Sequence, residues 1–169
     1  TQTTEGTLAR LGFGDPHRAA ETLDGWFVDH GDACGTLVDQ VVASPDPDLA
    51  LNGLTRLIAC RPGLLADLVA DPAWGRRLCQ LLGASVALNQ QLGARPADAD
   101  VLRGSIERRT ADELRSTLLS AVGADPHADQ PVAAPERSDD LRIAYRRELV
   151  RIAARDLTSD DPLAELPEV

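Results

Sequence analysis

The residues best suited to chemistry are five arginines near the C-terminal end of the sequence. They are Arg142, Arg146, Arg147, Arg151 and Arg155. A guanidinium group holds its N–H donors in a plane and binds carboxylates and phosphates through paired hydrogen bonds. Arg147, Arg151 and Arg155 are spaced four apart, so on a helix they share one side and repel each other unless acids or anions offset them. Glu148 and Asp156 are the nearest acids, and the five arginines form a candidate docking surface for an acidic partner.

The histidines and the glycines offer no starting point for catalysis or for phosphate binding. His17, His30 and His127 lie near predicted helix ends or in a polar stretch, with no motif around them that contains a nucleophile. Residues 12–14 place two glycines before an acid and follow no strand, which is typical of a turn before a capped helix. We therefore predict no catalytic residue and no cofactor-binding residue in this chain.

The cysteines and the paired acids do not indicate a metal site. Cys34, Cys60 and Cys79 are widely spaced and have no neighbouring histidine, whereas zinc ligands come in close pairs. We interpret all three as buried core thiols in a reducing compartment. The adjacent acids at 139–140 and 160–161 are more typical of helix ends than of cation sites. We predict no metal ligand.

Composition excludes several classes of protein. The 169 residues carry a formal charge of −10, which disfavours binding to nucleic acid or to anionic membranes. All 17 basic residues are arginine, and 43% of the chain is hydrophobic but only 3% aromatic. No apolar run is long enough to span a bilayer, and the N-terminus lacks the pattern of a signal peptide. We expect a cytoplasmic protein with a core of Leu, Ala, Val and Ile.

The elements that position these residues are predicted to be helices. Asp-Pro pairs, which cap helix starts, occur at 15–16, 46–47, 71–72 and 161–162. Gly31 is expected to end the first of these helices, and short helices are expected over residues 62–69 and 72–82, the latter ending at Gly83. No alternating strand pattern occurs. The predicted fold class is all-α, an irregular multi-helix bundle of short helical hairpins with a longer Arg-rich C-terminal helix.

The chain divides by pattern into four parts. Residues 1–122 are predicted to form a helical bundle, and residues 123–137, rich in proline and polar side chains, a linker or loop. Residues 138–158 follow as an amphipathic Arg-rich helix, and residues 159–169 as the start of a further segment. The absence of Met and the acidic end suggest a part of a longer protein.

The Arg-rich helix carries an apolar stripe and has two interpretations. The stripe consists of Leu141, Tyr145, Leu149 and Ile152. In one interpretation this stripe packs on the bundle and the arginines are solvated or paired. In the other the arginine side is a docking surface for an acidic partner or a neighbouring domain. The sequence leaves both open.

Three stretches of the sequence together resemble a known family. The first resembles the arginine-rich helix before the first nucleotidyltransferase domain of glutamine synthetase adenylyltransferases. It consists of Leu141-Arg142, Tyr145-Arg146-Arg147-Glu148-Leu149 and the run over residues 151–157. Residues 82–88, followed by Leu92, Pro96 and Leu102, are similar to a helical pair in that family. The start over residues 11–20 also resembles it, so the likeness covers most of the chain.

The resemblance implies what a longer parent protein does. Members of the family are bifunctional: one nucleotidyltransferase domain removes AMP from a tyrosine of glutamine synthetase by phosphorolysis, and a second attaches AMP from ATP, with magnesium in both reactions. Glutamine synthetase and a PII-type signalling protein are the implied partners. The Ser-Asp-x-Asp motif that holds the metals does not occur in residues 1–169. The resemblance therefore implies a non-catalytic segment that packs on its own downstream nucleotidyltransferase domain. A free-standing interaction domain that uses the Arg-rich helix is the alternative.

Overall fold

The structure is a computed structural model that describes residues 5–159. All regular elements in this range are helical. The α-helices are α1 Glu5–Arg10, α2 Pro16–His30, α3 Gly35–Val42, α4 Pro47–Cys60, α5 Leu64–Ala70, α6 Pro72–Ala84, α7 Val86–Ala94, α8 Ala111–Ala121 and α9 Ser138–Thr158. Single 3₁₀ segments occupy Gly31–Cys34, Pro96–Leu102 and Pro135–Arg137. No strand occurs between residues 5 and 159, and the prediction of an all-α fold is confirmed.

Three Asp-Pro pairs begin helices as predicted. The carboxylates of Asp15, Asp46 and Asp71 accept hydrogen bonds from the N–H groups three residues ahead, at 3.2, 2.9 and 3.0 Å. The proline that follows each of them occupies the first helical turn, where its missing N–H costs nothing. The fourth pair, at 161–162, lies outside the described residues, as does the acidic pair at 160–161.

Helix α6 is the centre of the core. Its side chains Trp74, Leu78, Leu81 and Leu82 are fully buried, and it packs against α3, α4, α5, α7 and α9. The indole N–H of Trp74 donates to the carbonyl of Ala99 at 2.9 Å, so the largest core side chain also has its polar atom satisfied. Through α6, the C-terminal helix α9 shares one core with the N-terminal helices.

Two predicted boundaries along the chain were wrong. The helix expected to stop at Gly83 continues to Ala84. Gly83 allows a close approach between helix and turn, since a Cβ there would lie 2.9 Å from the Ser44 hydroxyl and 3.0 Å from the Asp46 carbonyl. The helix expected from residue 62 begins at Leu64, after Gly63 adopts a φ of 90°. In both cases the glycine permits a close approach or a left-handed turn.

The cysteine prediction was wrong for one of the three thiols. Cys34 and Cys79 are buried, but Cys60 is exposed because it ends α4. Burial raises the pKa of the Cys79 thiol to about 12. Only Cys34 and Cys79 therefore behave as core residues.

The proline-rich stretch after α8 folds back on itself. The N–H of Ala134 donates to the carbonyl of Val122 at 3.0 Å, and Arg115 donates to the carbonyl of Pro126 at 3.1 Å. Val122 and Ala124 are buried. The stretch brings the chain back to the start of α9, and its division from the bundle as a linker stays a prediction.

Candidate docking helix

Helix α9 carries the five candidate arginines and is attached to the bundle by a narrow apolar strip. The helix begins at Ser138 as predicted, with Asp139 and Asp140 in its first turn and Arg155 in its last, an arrangement that complements the helix dipole. Val150 and Ala154 are fully buried against the core. Both side chains are small, so the apolar contact of α9 with the bundle is limited in area.

The first polar attachment of α9 is an ion pair with a buried acid. Arg147 Nε donates to Asp98 Oδ1 at 2.8 Å, and Arg95 Nε lies 3.5 Å from the other carboxylate oxygen. The Asp98 side chain is 1% exposed, on the 3₁₀ segment Pro96–Leu102. A buried carboxylate needs such partners, because an unpaired charge in the core costs several kcal/mol.

The second polar attachment centres on Glu148, whose side chain is 10% exposed. One carboxylate oxygen accepts a hydrogen bond from Arg109, on the segment before α8. The other accepts from Arg151 Nη1 at 3.2 Å, and Arg151 Nη2 reaches the carbonyl of Ser105 at 3.4 Å. Glu148 therefore connects α9 to residues 105–109.

The predicted apolar stripe faces outward, so the interpretation that packed it on the bundle was wrong. Leu141, Tyr145 and Leu149 are 42%, 55% and 39% exposed, and Ile152 is half-buried. The inner side of the helix is occupied by Val150, Ala154 and the two ion-pair networks instead. Helix α9 thus presents three of its larger apolar side chains to solvent, while Arg147 and Arg151 reach acids of the bundle side.

The five candidate arginines do not share a surface. Arg142 is 73% exposed and pairs with Asp139 at 2.7 Å, and Arg146 is exposed beside the apolar stripe. Arg147 and Arg151 pair with Asp98 and Glu148, and their side chains are 44% and 12% exposed. The Arg155 side chain is 19% exposed, with Nη2 3.6 Å from Asp156 Oδ1. The docking role of the five stays a prediction; Arg142 and Arg146 lie beside the apolar row on the outer side of α9.

Sequence reasoning missed Asp98 and Arg109, the distant partners of the inward arginines. They lie 49 and 39 positions from the α9 residues that they bind, so no local spacing indicated the pairs. One signal was present: Arg147, Val150, Arg151 and Ala154 follow the three-four spacing of a core-facing side. That pattern correctly predicts which side of α9 faces the bundle.

The other candidate chemical residues are dispersed. His17 lies in the first turn of α2, where Nδ1 is 2.8 Å from Glu5 Oε1, while His127 lies in the loop after α8. Asp140 pairs with Arg137. Within residues 5–159 no group of three or more acids, histidines or cysteines is arranged to hold a metal. No helix in the same range is long and apolar enough to span a membrane.

Comparison with known proteins identifies relatives along most of the chain. The chain is 42% identical to a bifunctional glutamine synthetase adenylyltransferase/adenylyl-removing enzyme of Cutibacterium acnes over 128 residues, which is 73% of this chain. Proteins of the same name from Streptomyces coelicolor and Leifsonia xyli are 36% and 37% identical over 94% and 93% of it. The chain belongs to this family.

The chain spans only a small part of its relatives. The matched region makes up 13%, 15% and 16% of the three proteins. No family model matches the chain, and no solved structure matches it. The three relatives confirm the family membership that the Arg-rich helix and its upstream stretches suggested.

Proposed function

We propose that this chain is the non-catalytic N-terminal helical segment of a bifunctional glutamine synthetase adenylyltransferase/adenylyl-removing enzyme. In this proposal the outer side of α9 packs on the adenylyl-removing nucleotidyltransferase domain that follows. The parent protein attaches AMP to a tyrosine of glutamine synthetase and removes it by phosphorolysis, using ATP and magnesium. Glutamine synthetase and a PII-type signalling protein are its partners in nitrogen regulation.

The observation that carries the proposal is the orientation of α9. Three large apolar side chains, Leu141, Tyr145 and Leu149, are exposed in a row on one helix, whereas soluble domains normally bury such a row. Arg142 and Arg146 border the row and supply the polar rim of a protein interface. A neighbouring domain of the much longer relatives is an occupant of suitable size.

The test is a charge placed in the middle of this row in a full-length member of the family. Tyr145→Asp should lower the rate of AMP removal from adenylylated glutamine synthetase at least about tenfold, because an unpaired carboxylate opposes burial in an apolar interface. Deletion of residues 138–157 is a poorer test, since it also removes the buried Val150 and Ala154 from the core.

Val28→Asp is the matched control, since Val28 is 84% exposed on α2 and belongs to no apolar row. It should leave AMP removal unchanged, and circular dichroism should show both variants of the 169-residue chain to be as helical as the parent. Normal AMP removal by Tyr145→Asp would show that the outer side of α9 does not support the downstream domain.

The second candidate function is a free-standing interaction domain that binds an acidic protein surface. Arg142 and Arg146 support it, because both are exposed on the outer side of α9. Its binding should weaken with salt and fall in the double variant Arg142→Gln, Arg146→Gln. If the chain binds glutamine synthetase with an affinity that neither salt nor this double variant changes, the free-standing interaction domain is excluded.

A further inference from the structure

Helix α8 contributes no side chain to the buried core. No residue of Ala111–Ala121 is buried, whereas each of the other α-helices in residues 5–159 buries at least one. The main contact of α8 with another helix is with α9. The helix nevertheless carries three leucines, all half-buried: Leu114, Leu118 and Leu119. Helices of globular proteins gain most of their stability from an apolar side packed on neighbours, so α8 is only partly covered.

The exposed apolar row of α9 continues onto α8. Leu114 of α8 and Ile152 of α9 line the same cleft between the two helices. Ile152 belongs to the outer stripe of α9 together with Tyr145, which is 55% exposed. Leu118 follows Leu114 by four residues, so it lies one turn further along the same side of α8. The two helices therefore present adjoining apolar side chains.

We propose that a neighbouring domain covers α8 and α9 together, as one apolar surface built from two helices. The inference rests on the proposed function, in which the adenylyl-removing domain packs on the outer side of α9, and it adds α8 to the same interface. The occupant is an apolar face of that domain. Since the matched region is only 13–16% of three relatives, most of a family protein is left to supply it.

The size of the surface is one argument for two helices. Interfaces between domains of one chain bury about 600–1,500 Å², whereas a single helix with its side chains is only about 10 Å wide. Helices in contact have axes about 8–10 Å apart, so α8 roughly doubles the width of the surface. The 11 residues of α8 extend for about 16 Å. Together α8 and α9 approach the dimensions that a second domain needs.

Local hydrogen bonds stabilise α8 in place of a core. The Thr110 hydroxyl accepts from the N–H of Glu113 at 3.2 Å, and Glu113 Oε2 accepts from the N–H of Thr110 at 2.7 Å. The bond from the Thr110 backbone, with that from its hydroxyl, lowers the pKa of the Glu113 carboxyl. Such a capping box satisfies two N–H groups at the helix start. Helix α8 is thus a formed helix whose leucines remain available to a partner.

The test is hydrogen–deuterium exchange of the α8 amides, measured by mass spectrometry of peptides that cover residues 111–121. Exchange is compared between the 169-residue chain and a full-length member of the family. We expect exchange at least about tenfold slower in the full-length protein, because a covered helix opens less often. Peptides from α2 lie outside the proposed interface and should exchange alike in both proteins. Equal exchange of α8 in the two proteins would overturn the inference.

Leu118→Asp in the full-length protein provides a second readout. It should slow AMP removal from adenylylated glutamine synthetase at least about tenfold, because it places a carboxylate in the apolar interface. Ser120→Asp is the matched control: Ser120 is exposed and, two residues from Leu118, lies on the other side of α8. It should leave AMP removal unchanged. Normal AMP removal by Leu118→Asp would also overturn the inference.

A thiol introduced by Tyr145→Cys separates this inference from the proposed function, because it reports on α9 alone. If this thiol is labelled more slowly in the full-length protein while α8 exchanges equally in both proteins, the inference fails and the proposed function stands. If it is labelled at equal rates in both proteins, the proposed function fails and the inference fails with it.

Discussion

At the scale of single residues, the attachment of α9 depends on carboxylates that serve two arginines each. Glu148 is the clearest case, since both of its oxygens accept hydrogen bonds and its side chain is 10% exposed. Arg109 and Arg151 would repel each other without it. A buried ion pair adds little to the free energy of unfolding compared with apolar side chains of similar volume. Removal of one member is nevertheless costly, because it leaves a buried charge without a partner.

We therefore predict that Glu148→Ala destabilises the chain by roughly 3 kcal/mol, measured by urea unfolding. Asp139→Ala is the control, because Asp139 forms the same i,i+3 contact with Arg142 but in full exposure, at 79% and 73%. It should cost less than about 1 kcal/mol. Equal losses of unfolding free energy in Glu148→Ala and Asp139→Ala would contradict the claim that Glu148 holds α9 against the bundle.

His17 provides a second prediction at this scale. Its hydrogen bond with Glu5 and the nearby charge of Glu21 raise the pKa of the imidazole above 6.5. Because the folded pKa is raised, this contact stabilises α1 fully below the unfolded pKa and is lost as pH rises through the folded value. An NMR titration should show a lower His17 pKa in Glu5→Gln and no change in Glu107→Gln. A His17 pKa that is the same in all three chains would refute the contact.

At the scale of elements, helix starts were predictable but helix orientations were not. An Asp-Pro pair supplies both a capping carboxylate and a proline suited to the first turn, so the starts at Asp15, Asp46 and Asp71 could be read from local sequence. The side that a helix buries depends on partners far along the chain. One of the two interpretations packed the larger apolar stripe of α9 inward, but Asp98 and Arg109 hold the opposite side against the bundle.

Gly83 provides the prediction at this scale. Alanine favours helices over glycine, yet Gly83→Ala should destabilise the chain by about 1–3 kcal/mol, because its Cβ would meet Ser44 and the backbone of Asp46. Gly25→Ala is the control: Gly25 lies inside α2 with nothing near its Cβ, so this change should stabilise by up to about 1 kcal/mol. Thermal unfolding of both variants measures the difference. A stabilising Gly83→Ala would show that α6 and the Ser44 turn are not closely packed.

At the scale of the whole molecule, the acidic chain carries two local features that its average composition conceals. One is a cleft at the inner side of α9, where paired arginines and carboxylates line the wall, and the other is the exposed apolar row on its outer side. The family was predictable because the Arg-rich sequence of α9 is distinctive. The cleft was not, since it depends on pairs formed between α9 and residues 95–109.

The proposed function gives the outer row a role within the longer family proteins. The matched relatives are several times longer, with 13–16% of their length represented here. An isolated bundle gains nothing from exposing Leu141, Tyr145 and Leu149. The same row becomes part of a core when another domain covers it, which is the central claim of the proposed function.

The most direct test of that claim is the labelling rate of a thiol introduced by Tyr145→Cys, followed by peptide mass spectrometry. The rate is compared between the 169-residue chain and the full-length family protein, with Val28→Cys as the control for general access. We predict rapid labelling at position 145 in the isolated chain and at least about tenfold slower labelling in the full-length protein, with position 28 labelled alike in both. Equal rates at position 145 would contradict the claim that a neighbouring domain covers α9.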